Sequence, residues 1–176
     1  MKKPFHFCIV IFSLFILSCN GGGQESQPES MDSRAVEESL LHANKQAVRY
    51  ENEQIESFIA RNKWKMKATG SGLRYEIYFQ GNGEQAVDGK LAVLKYSVRL
   101  IDGSEIYSSE ENGLKEFIIG RGGVESGLEE GILLLRVGDR AKFIIPSHLG
   151  FGLLGDQDKV PPKSTLIYDL ELVALK

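Results

Sequence analysis

Few side chains in this sequence are spaced for covalent or metal chemistry. His42 and His148 stand alone, with no second ligand at a metal-binding spacing, so we interpret both as surface residues. Glu129 and Glu130 are adjacent in a predicted helix, where neighbouring side chains point about 100° apart. They favour a solvated helix face over an acid–base pair. The sequence therefore predicts neither a metal nor a cofactor.

A glycine-rich run, Gly120-Arg121-Gly122-Gly123, precedes a predicted short helix and invites comparison with a phosphate-binding loop. It lacks the Lys-Ser or Lys-Thr ending and the parallel β-α-β context of such loops, so turn glycines are the better interpretation. The remaining candidates for chemistry are the aromatic residues Tyr96, Phe117 and Tyr168, at strand positions. They are either core residues or the walls of an apolar binding pocket.

The elements that position these residues follow Gly70-Ser71-Gly72, where short segments rich in Tyr, Ile, Val and Phe alternate with turn residues. Asp102-Gly103 is a strong hairpin signal. Ser126 to Leu134 is the one helical candidate in this region. These patterns predict an α+β fold, a five- or six-stranded antiparallel sheet wrapped on one short helix. The predicted strands are Leu73 to Gln80, Leu91 to Ile101, Ser104 to Ser108, Lys115 to Ile119, Arg140 to Pro146 and Ser164 to Ala174.

An N-terminal helical segment, residues 31–69, precedes this sheet. Ser33 to Lys65 contain no Gly or Pro, and apolar residues recur at helical spacing, which predicts one long helix or two short ones. An isolated helix would be marginal in water, so the apolar stripe requires a partner. Either it lies on the sheet domain or two copies pair through residues 31–65 as a homodimer. The stripe comprises Val36, Leu40, Ala43, Ala47, Val48, Ile55, Phe58 and Ile59.

The amino terminus has the pattern of an export signal. Lys2 and Lys3 precede an apolar run from Phe5 to Leu17, which is shorter than the roughly 20 residues a membrane-spanning helix needs. Ile16-Leu17-Ser18-Cys19 has the form of a lipobox, which predicts a signal peptide at 1–18, lipid on Cys19 and a polar tether at 19–30. The alternative is an ordinary signal peptide or signal anchor in which Cys19 has no role.

Length and charge restrict the remaining organisation. Cleavage before Cys19 would leave 158 of the 176 residues, enough for one domain, residues 70–176, and an extension. It would reduce the basic residues from 21 to 19 against 24 acidic ones, changing the formal charge from −3 to −5. Nucleic acid is therefore not a predicted partner. No disulfide is expected, because Cys8 would be removed and Cys19 acylated.

From Leu94 onward, motifs in a fixed order resemble the FKBP-type peptidyl-prolyl isomerases. The resemblance covers residues 70–176 and implies an FKBP-like fold that binds proline-containing polypeptides. The motifs are Leu94-Lys95-Tyr96, Ile101-Asp102-Gly103-Ser104-Glu105-Ile106-Tyr107-Ser108-Ser109, Phe117-Ile118-Ile119-Gly120, Gly127-Leu128-Glu129-Glu130-Gly131, Val137-Gly138-Asp139-Arg140-Ala141-Lys142, Ile145-Pro146-Ser147 with Gly150-Phe151-Gly152, and Val160-Pro161-Pro162-Lys163-Ser164-Thr165-Leu166 leading into Tyr168-Asp169-Leu170-Glu171-Leu172.

The resemblance also implies a reaction mechanism and a set of site residues. Prolyl isomerisation needs no nucleophile or metal, because an apolar pocket that prefers the twisted bond lowers the barrier by binding alone. Two groups of positions match the family's pocket. Catalytic roles are implied for Tyr96, Phe117, Leu128, Phe151 and Tyr168, and peptide contacts for Ile106, Tyr107, Val124, Glu125 and Val160.

Several of these positions depart from the family's usual residues. Leu128 stands where the family usually has a tryptophan, and Ile106 stands where it usually has a phenylalanine. Lys115 replaces an aromatic residue of the pocket wall. Glu125 replaces an isoleucine whose backbone NH contacts the ligand. Tyr107 replaces an aspartate and Phe151 a tyrosine, and these two changes remove polar contacts worth about 0.5–1.5 kcal/mol each. We therefore expect weakened catalysis, with a non-catalytic binding module as the alternative. Phe151→Tyr and Tyr107→Asp should then raise the rate.

A narrower resemblance combines the lipobox, the helical segment and Ile106-Tyr107-Ser108-Ser109-Glu110-Glu111. Together they resemble the gliding-motility-associated FKBP-type lipoproteins of the Bacteroidetes. This resemblance implies a folding helper of the cell envelope, anchored by lipid in the outer membrane and facing the periplasm. Its partners would be secretion or motility machinery in the envelope.

Overall fold

Helix α1 spans Ser33–Asn62 in the computed structural model, which describes residues 33–176. The segment forms one helix rather than two because no Gly or Pro interrupts it. Cys19 and the predicted signal and tether segments lie outside the described residues. Residues 33–38 begin the helix, and residues 39–176 form one compact unit.

Helix α1 ends in a Schellman motif that contains no glycine. The Trp64 NH donates to Ile59 O and the Lys63 NH to Ala60 O, both at 3.2 Å, while Lys63 adopts φ +56°. The Trp64 ring packs edge-on against Phe58, with centroids 5.3 Å apart. This aromatic contact accompanies a left-handed turn at Lys63, which usually favours glycine.

The sheet has seven antiparallel strands in the order β1-β2-β6-β7-β3-β4, with β5 beside β4 on the same edge of β3. The predicted antiparallel fold is confirmed, but the predicted count of five or six was too low. Strand β1, of two residues, is too short to show an alternating pattern. The strands are β1 Lys67–Ala68, β2 Arg74–Phe79, β3 Leu91–Leu100, β4 Glu105–Ser108, β5 Lys115–Ile118, β6 Arg140–Ile145 and β7 Leu166–Leu175.

Two α-helices accompany the sheet where the sequence predicted one. Helix α3, Ser126–Ile132, is the predicted helix. Helix α2, Ser109–Asn112, was not predicted because its single turn is too short for a periodic pattern. It begins where the Ser108 side chain accepts from the Glu111 NH at 3.4 Å. A 3₁₀ turn, Ser147–Leu149, follows β6.

Helix α3 packs closely against one face of the sheet because its contact positions are glycines. A Cβ on Gly131 would lie 2.4 Å from the Phe143 ring, and one on Gly127 would lie 2.6 Å from Ile145. The main core therefore forms between α3 and the inward face of the long central strands β3, β6 and β7. It includes Leu94, Tyr96, Val98, Leu128, Ile132, Phe143, Leu166, Tyr168, Leu170 and Leu172.

Helix α1 covers part of the opposite face. Ile55 is 1% exposed and belongs to a second apolar cluster with Ile144 of β6 and Ile167 of β7. The carboxyl-terminal half of the predicted apolar stripe thus lies on the sheet domain. Leu40 and Val48, in the other half, remain more than half exposed. No helix within residues 33–176 combines the length and hydropathy needed to cross a membrane.

A partly buried polar contact fastens α1 to the sheet. The Glu51 carboxylate accepts from the Ser147 NH at 2.6 Å, the Ser147 hydroxyl at 2.9 Å and the Thr165 hydroxyl at 2.7 Å. Ser147 follows β6 and Thr165 precedes β7. Glu51 therefore holds together the ends of two neighbouring strands.

Candidate active site

A cleft of about 910 Å³ opens beside the main core, at the side of the sheet that carries α3. Its walls come from β3, β4, β5, β7, the end of α2, the start of α3 with the loop before it, and the loop between β6 and β7. The lining residues are Tyr96, Val98, Tyr107, Asn112, Lys115, Gly123, Val124, Glu125, Ser126, Gly150, Phe151, Asp156, Asp158 and Tyr168.

Strand register brings two of the three cleft tyrosines, Tyr96 and Tyr168, together. Val98 of β3 is directly opposite Tyr168 of β7, and Tyr96 lies two residues from Val98 on the same face. The rings of Tyr96 and Tyr168 are consequently 6.4 Å apart between centroids. Ser109 fixes this part of β3, because its hydroxyl bonds both the NH and the carbonyl of Tyr96, at 3.1 and 3.2 Å.

A buried acid lies behind these rings. The Tyr168 hydroxyl donates to Glu125 Oε1 at 2.6 Å, while the Lys115 ammonium is 3.8 Å from Oε2. Burial, followed by the nearby Glu125 charge, raises the pKa of Tyr168 well above its ordinary value. Burial and Glu125 also raise the pKa of Tyr96. Both hydroxyls are therefore neutral donors at physiological pH.

A second tyrosine–carboxylate contact lies at the cleft. The Tyr107 hydroxyl donates to Asp156 Oδ2, and Asp158 Oδ2 is 3.4 Å away. The hydrogen bond to Asp156, with a smaller contribution from burial, raises the pKa of Tyr107 to about 12. Burial alone would raise the pKa of Asp156, but hydrogen bonds from Tyr107 and from the NH groups of Asp158 and Val160 outweigh it and lower that pKa.

Hydrogen bonds from backbone NH groups to the Asp156 side chain stabilise the loop between β6 and β7. Asp156 Oδ1 accepts from the NH groups of Asp158 and Val160, at 2.9 and 2.8 Å. Gly155 adopts φ +68°, and a Cβ there would meet the Val160 carbonyl at 2.0 Å. The cleft wall is therefore pre-formed, which limits the entropy cost of binding.

The sequence profile of the FKBP-type peptidyl-prolyl cis-trans isomerases matches residues 82–173, which contain the whole cleft. This chain belongs to that family. A probable FKBP-type peptidyl-prolyl cis-trans isomerase FkpA of Neisseria meningitidis is 35% identical over 157 residues, covering 86% of this chain and 57% of the relative. FkpA of Escherichia coli is 34% identical over 111 residues, covering 63% of this chain and 40% of the relative.

Solved structures agree with this assignment. The crystal structure of FkpA from Escherichia coli has a TM-score of 0.64 and 29% identity, covering 84% of this chain and 74% of that one. The crystal structure of AtFKBP13 has a TM-score of 0.61 and 30% identity, covering 64% of this chain and 99% of that one. The chain spans about half the length of the curated FkpA relatives described above.

The FKBP-type cleft brings together six of the ten residues predicted for the site: Tyr96, Tyr107, Val124, Glu125, Phe151 and Tyr168. The other four, Ile106, Phe117, Leu128 and Val160, are at most 8% exposed and belong to the main core that contains both tyrosines. They support the cleft in this conformation instead of lining it. Direct contact between these four and a peptide stays a prediction.

Asp156 and Asp158 are cleft residues that no sequence pattern predicted. Their signal was weak: two carboxylates in a loop, shortly before the predicted pocket residue Val160. The sequence predicts that the site loses polar contacts at positions 107 and 151. In the structure the cleft nevertheless contains polar groups, the Tyr107 hydroxyl and the Asp156 carboxylate.

The other chemical candidates occupy structural roles. Gly120, Gly122 and Gly123 all adopt positive φ, as turn glycines do. Glu129 accepts from the Gly122 NH at 2.9 Å, whereas Glu130 accepts from a serine hydroxyl outside the helix. The two carboxylates thus have separate partners. His148 bonds the Ser71 carbonyl at 3.0 Å.

Proposed function

We propose that this protein is a peptidyl-prolyl cis-trans isomerase that acts on proline-containing polypeptides. The observation that carries the proposal is the convergence of Tyr96, Phe151 and Tyr168 on one cleft of an FKBP-type domain. Aromatic walls suit a proline ring, which is apolar and flat enough to pack against them. The matched relatives named as isomerases support the same activity.

The mechanism follows from how the barrier arises. Amide resonance sets a rotation barrier of about 18–20 kcal/mol, and the twisted bond has lost that resonance. A cleft that binds the twisted form more tightly than either planar form lowers the barrier without covalent chemistry. Tyr96, Phe151 and Tyr168 would surround the ring and remove water from the prolyl carbonyl, which favours the less polar twisted amide.

Exchange NMR on a proline-containing tetrapeptide tests this activity directly, since it measures cis–trans interconversion without a coupling protease. We expect catalysed exchange, and Phe151→Ala should lower kcat/KM by about tenfold through lost aromatic contact. Phe79→Ala is the matched control, because Phe79 is 55% exposed and outside the cleft lining. An interconversion rate equal to that in solvent would overturn the enzyme proposal.

A non-catalytic prolyl-peptide-binding chaperone or scaffold is the second candidate. It is supported by the altered positions Tyr107 and Phe151, and by Leu153 and Leu154, which are 70% and 73% exposed in the loop beside the cleft. Such a module would suppress aggregation of unfolded chains without accelerating isomerisation. Leu153→Ser combined with Leu154→Ser should then abolish protection while leaving any isomerase rate in place.

We further propose that the protein acts in the cell envelope, anchored by lipid on Cys19 to the outer membrane and facing the periplasm. The support is the sequence Ile16-Leu17-Ser18-Cys19 after a short apolar run. Each acyl methylene would add about 0.8 kcal/mol of membrane affinity. Cys19→Ala should move the protein from membrane to soluble fractions and remove incorporated palmitate. Secretion or motility components of the envelope are the proposed partners.

A homodimer through residues 31–65 is also proposed. Leu40, Leu41 and Val48 of α1 are each more than half exposed, which leaves an apolar surface that a second copy could cover. Sedimentation velocity should show a dimer that Leu41→Glu converts to a monomer. Gln46→Glu, which adds one negative charge at an exposed position on the same helix, is the control.

A further inference from the structure

Glu125 is the most unusual polar group of the cleft. Its side chain is 3% exposed, and its two carboxylate oxygens differ in their hydrogen bonding. Oε1 accepts the Tyr168 hydroxyl at 2.6 Å, but Oε2 is buried without a hydrogen-bond partner among the described residues. A buried carboxylate oxygen is costly unless a donor satisfies it. Oε2 is therefore an unsatisfied hydrogen-bond acceptor at the wall of the cleft.

Lys115 forms an ion pair with Oε2 but does not donate a hydrogen bond to it. Its ammonium is 3.8 Å from Oε2, beyond hydrogen-bond length, and lies 5.6 Å from the centroid of the Tyr96 ring. The Lys115 side chain is 26% exposed and flexible. A cationic group from a bound peptide could take its place beside Oε2 without breaking a formed hydrogen bond.

The charged residues that line the rest of the cleft are mostly negative, like Glu125. Asp156 and Asp158 also line it, so the charged lining residues among those described are three carboxylates and one ammonium, Lys115. Lys159 is a further cation nearby, over the Tyr107 ring and 3.9 Å from Glu111, and it is not a lining residue. A concave surface of one sign concentrates ligands of the opposite sign.

We propose that the cleft selects prolyl peptides with a lysine or arginine adjacent to the proline, and that Glu125 is the residue that determines this specificity. The inference rests on the proposed prolyl-peptide site and names its substrate class. An ammonium or guanidinium would donate to Glu125 Oε2, while Asp156 and Asp158 attract the same charge. A peptide with glutamate at that position would add a like charge to an acidic cleft and bind poorly.

The test compares peptides that differ in a single charge. NMR exchange gives kcat/KM, and NMR titration gives Kd, for matched peptides with lysine or acetyl-lysine before the proline, and for a second pair with these residues after it. At low ionic strength we expect lysine to be preferred by about 5- to 10-fold in one pair, and the preference to shrink as salt is added. Acetyl-lysine keeps the length of the side chain and removes its charge.

Two variants should move this preference in opposite directions. Glu125→Gln should bring the lysine to acetyl-lysine ratio close to one, and Lys115→Met should increase it because a competing cation is gone. Glu116→Gln is the control, since Glu116 is an exposed acid next to Lys115 on β5 that pairs instead with Lys176 at 3.1 Å. It should leave the ratio unchanged.

The two proposals fail in different ways. Catalysed exchange with equal kcat/KM and equal Kd for lysine and acetyl-lysine peptides would overturn the specificity and leave the isomerase intact. Absence of catalysed exchange would overturn the isomerase, and the Kd ratio would still decide the specificity. A lysine preference that persists in Glu125→Gln would remove Glu125 from the role assigned to it.

Discussion

The Tyr107 hydroxyl donates a hydrogen bond to the Asp156 carboxylate, which joins β4 to the loop before β7. In the folded protein the pKa of Tyr107 is about 12, above the ordinary value of 10.0. A folded-state pKa above the unfolded one means that the hydrogen bond stabilises fully below pH 10 and is lost as the pH rises through 12. The contact is therefore intact at neutral pH.

Alkaline titration should show this shift. The difference in phenolate absorbance between the wild type and Tyr107→Phe should appear near pH 12, because ionised Tyr107 would face Asp156. Asp156→Asn should move the signal of Tyr107 toward pH 10, since it removes the charge and weakens the acceptor. A Tyr107 signal already near pH 10 in the wild type would contradict the hydrogen bond.

Phe151→Tyr should raise isomerase kcat/KM by about 2- to 10-fold, because a hydroxyl at the cleft would supply a hydrogen bond to the bound peptide. Exchange NMR provides the measurement, and Phe79→Tyr, outside the cleft, is the control. An unchanged or lower rate would show that no carbonyl of the bound peptide lies within hydrogen-bond distance of a hydroxyl at position 151.

The structure changes the expectation for Tyr107→Asp. This substitution would remove the bond to Asp156 and place a third carboxylate beside Asp156 and Asp158. Repulsion between them should destabilise the loop, so we now expect a lower rate instead of a gain. Combining Tyr107→Asp with Asp156→Asn should recover part of the loss, and no recovery would argue against repulsion as its cause.

Ile55→Ala should lower the free energy of unfolding by about 2–5 kcal/mol, because Ile55 is fully buried between α1 and the sheet. Val48→Ala, on the same helix but 55% exposed, should cost less than about 0.5 kcal/mol. Urea unfolding followed by circular dichroism compares the two. Equal small losses would mean that α1 is not docked through Ile55.

Gly131→Ala should destabilise the protein by about 1–3 kcal/mol, although alanine is the better helix former. The added Cβ would lie 2.4 Å from the Phe143 ring, so α3 would have to move away from the sheet. Gly70→Ala, where nothing lies within 4 Å of the new Cβ, is the control and should be nearly neutral. A stabilised Gly131→Ala would show that α3 can shift at little cost.

The sequence predicts the strands better than the cleft, for physical reasons. Alternating apolar residues identify β3 and β7 because one face of each is buried along most of its length, and register then brings Tyr96 and Tyr168 together. The loop carboxylates escaped prediction because their directions depend on turn geometry, including positive φ at Gly152 and Gly155. No periodic pattern records such directions.

The end of α1 shows a similar limit. Lys63 adopts the left-handed conformation that usually calls for glycine, so the sequence offers no stop signal there. The predicted end at Lys65 therefore lies beyond the observed end at Asn62. Packing of Trp64 on Phe58, a contact in three dimensions, accompanies the earlier end.

Glu51 links helix α1 to the two chain segments that carry opposite walls of the cleft. One of its partners, Ser147, begins the stretch that reaches Phe151, and the other, Thr165, lies three residues before Tyr168. A molecule that binds the exposed surface of α1 and tilts the helix would therefore displace both of these segments. Binding on one face of the sheet would then change the spacing of the cleft walls on the other.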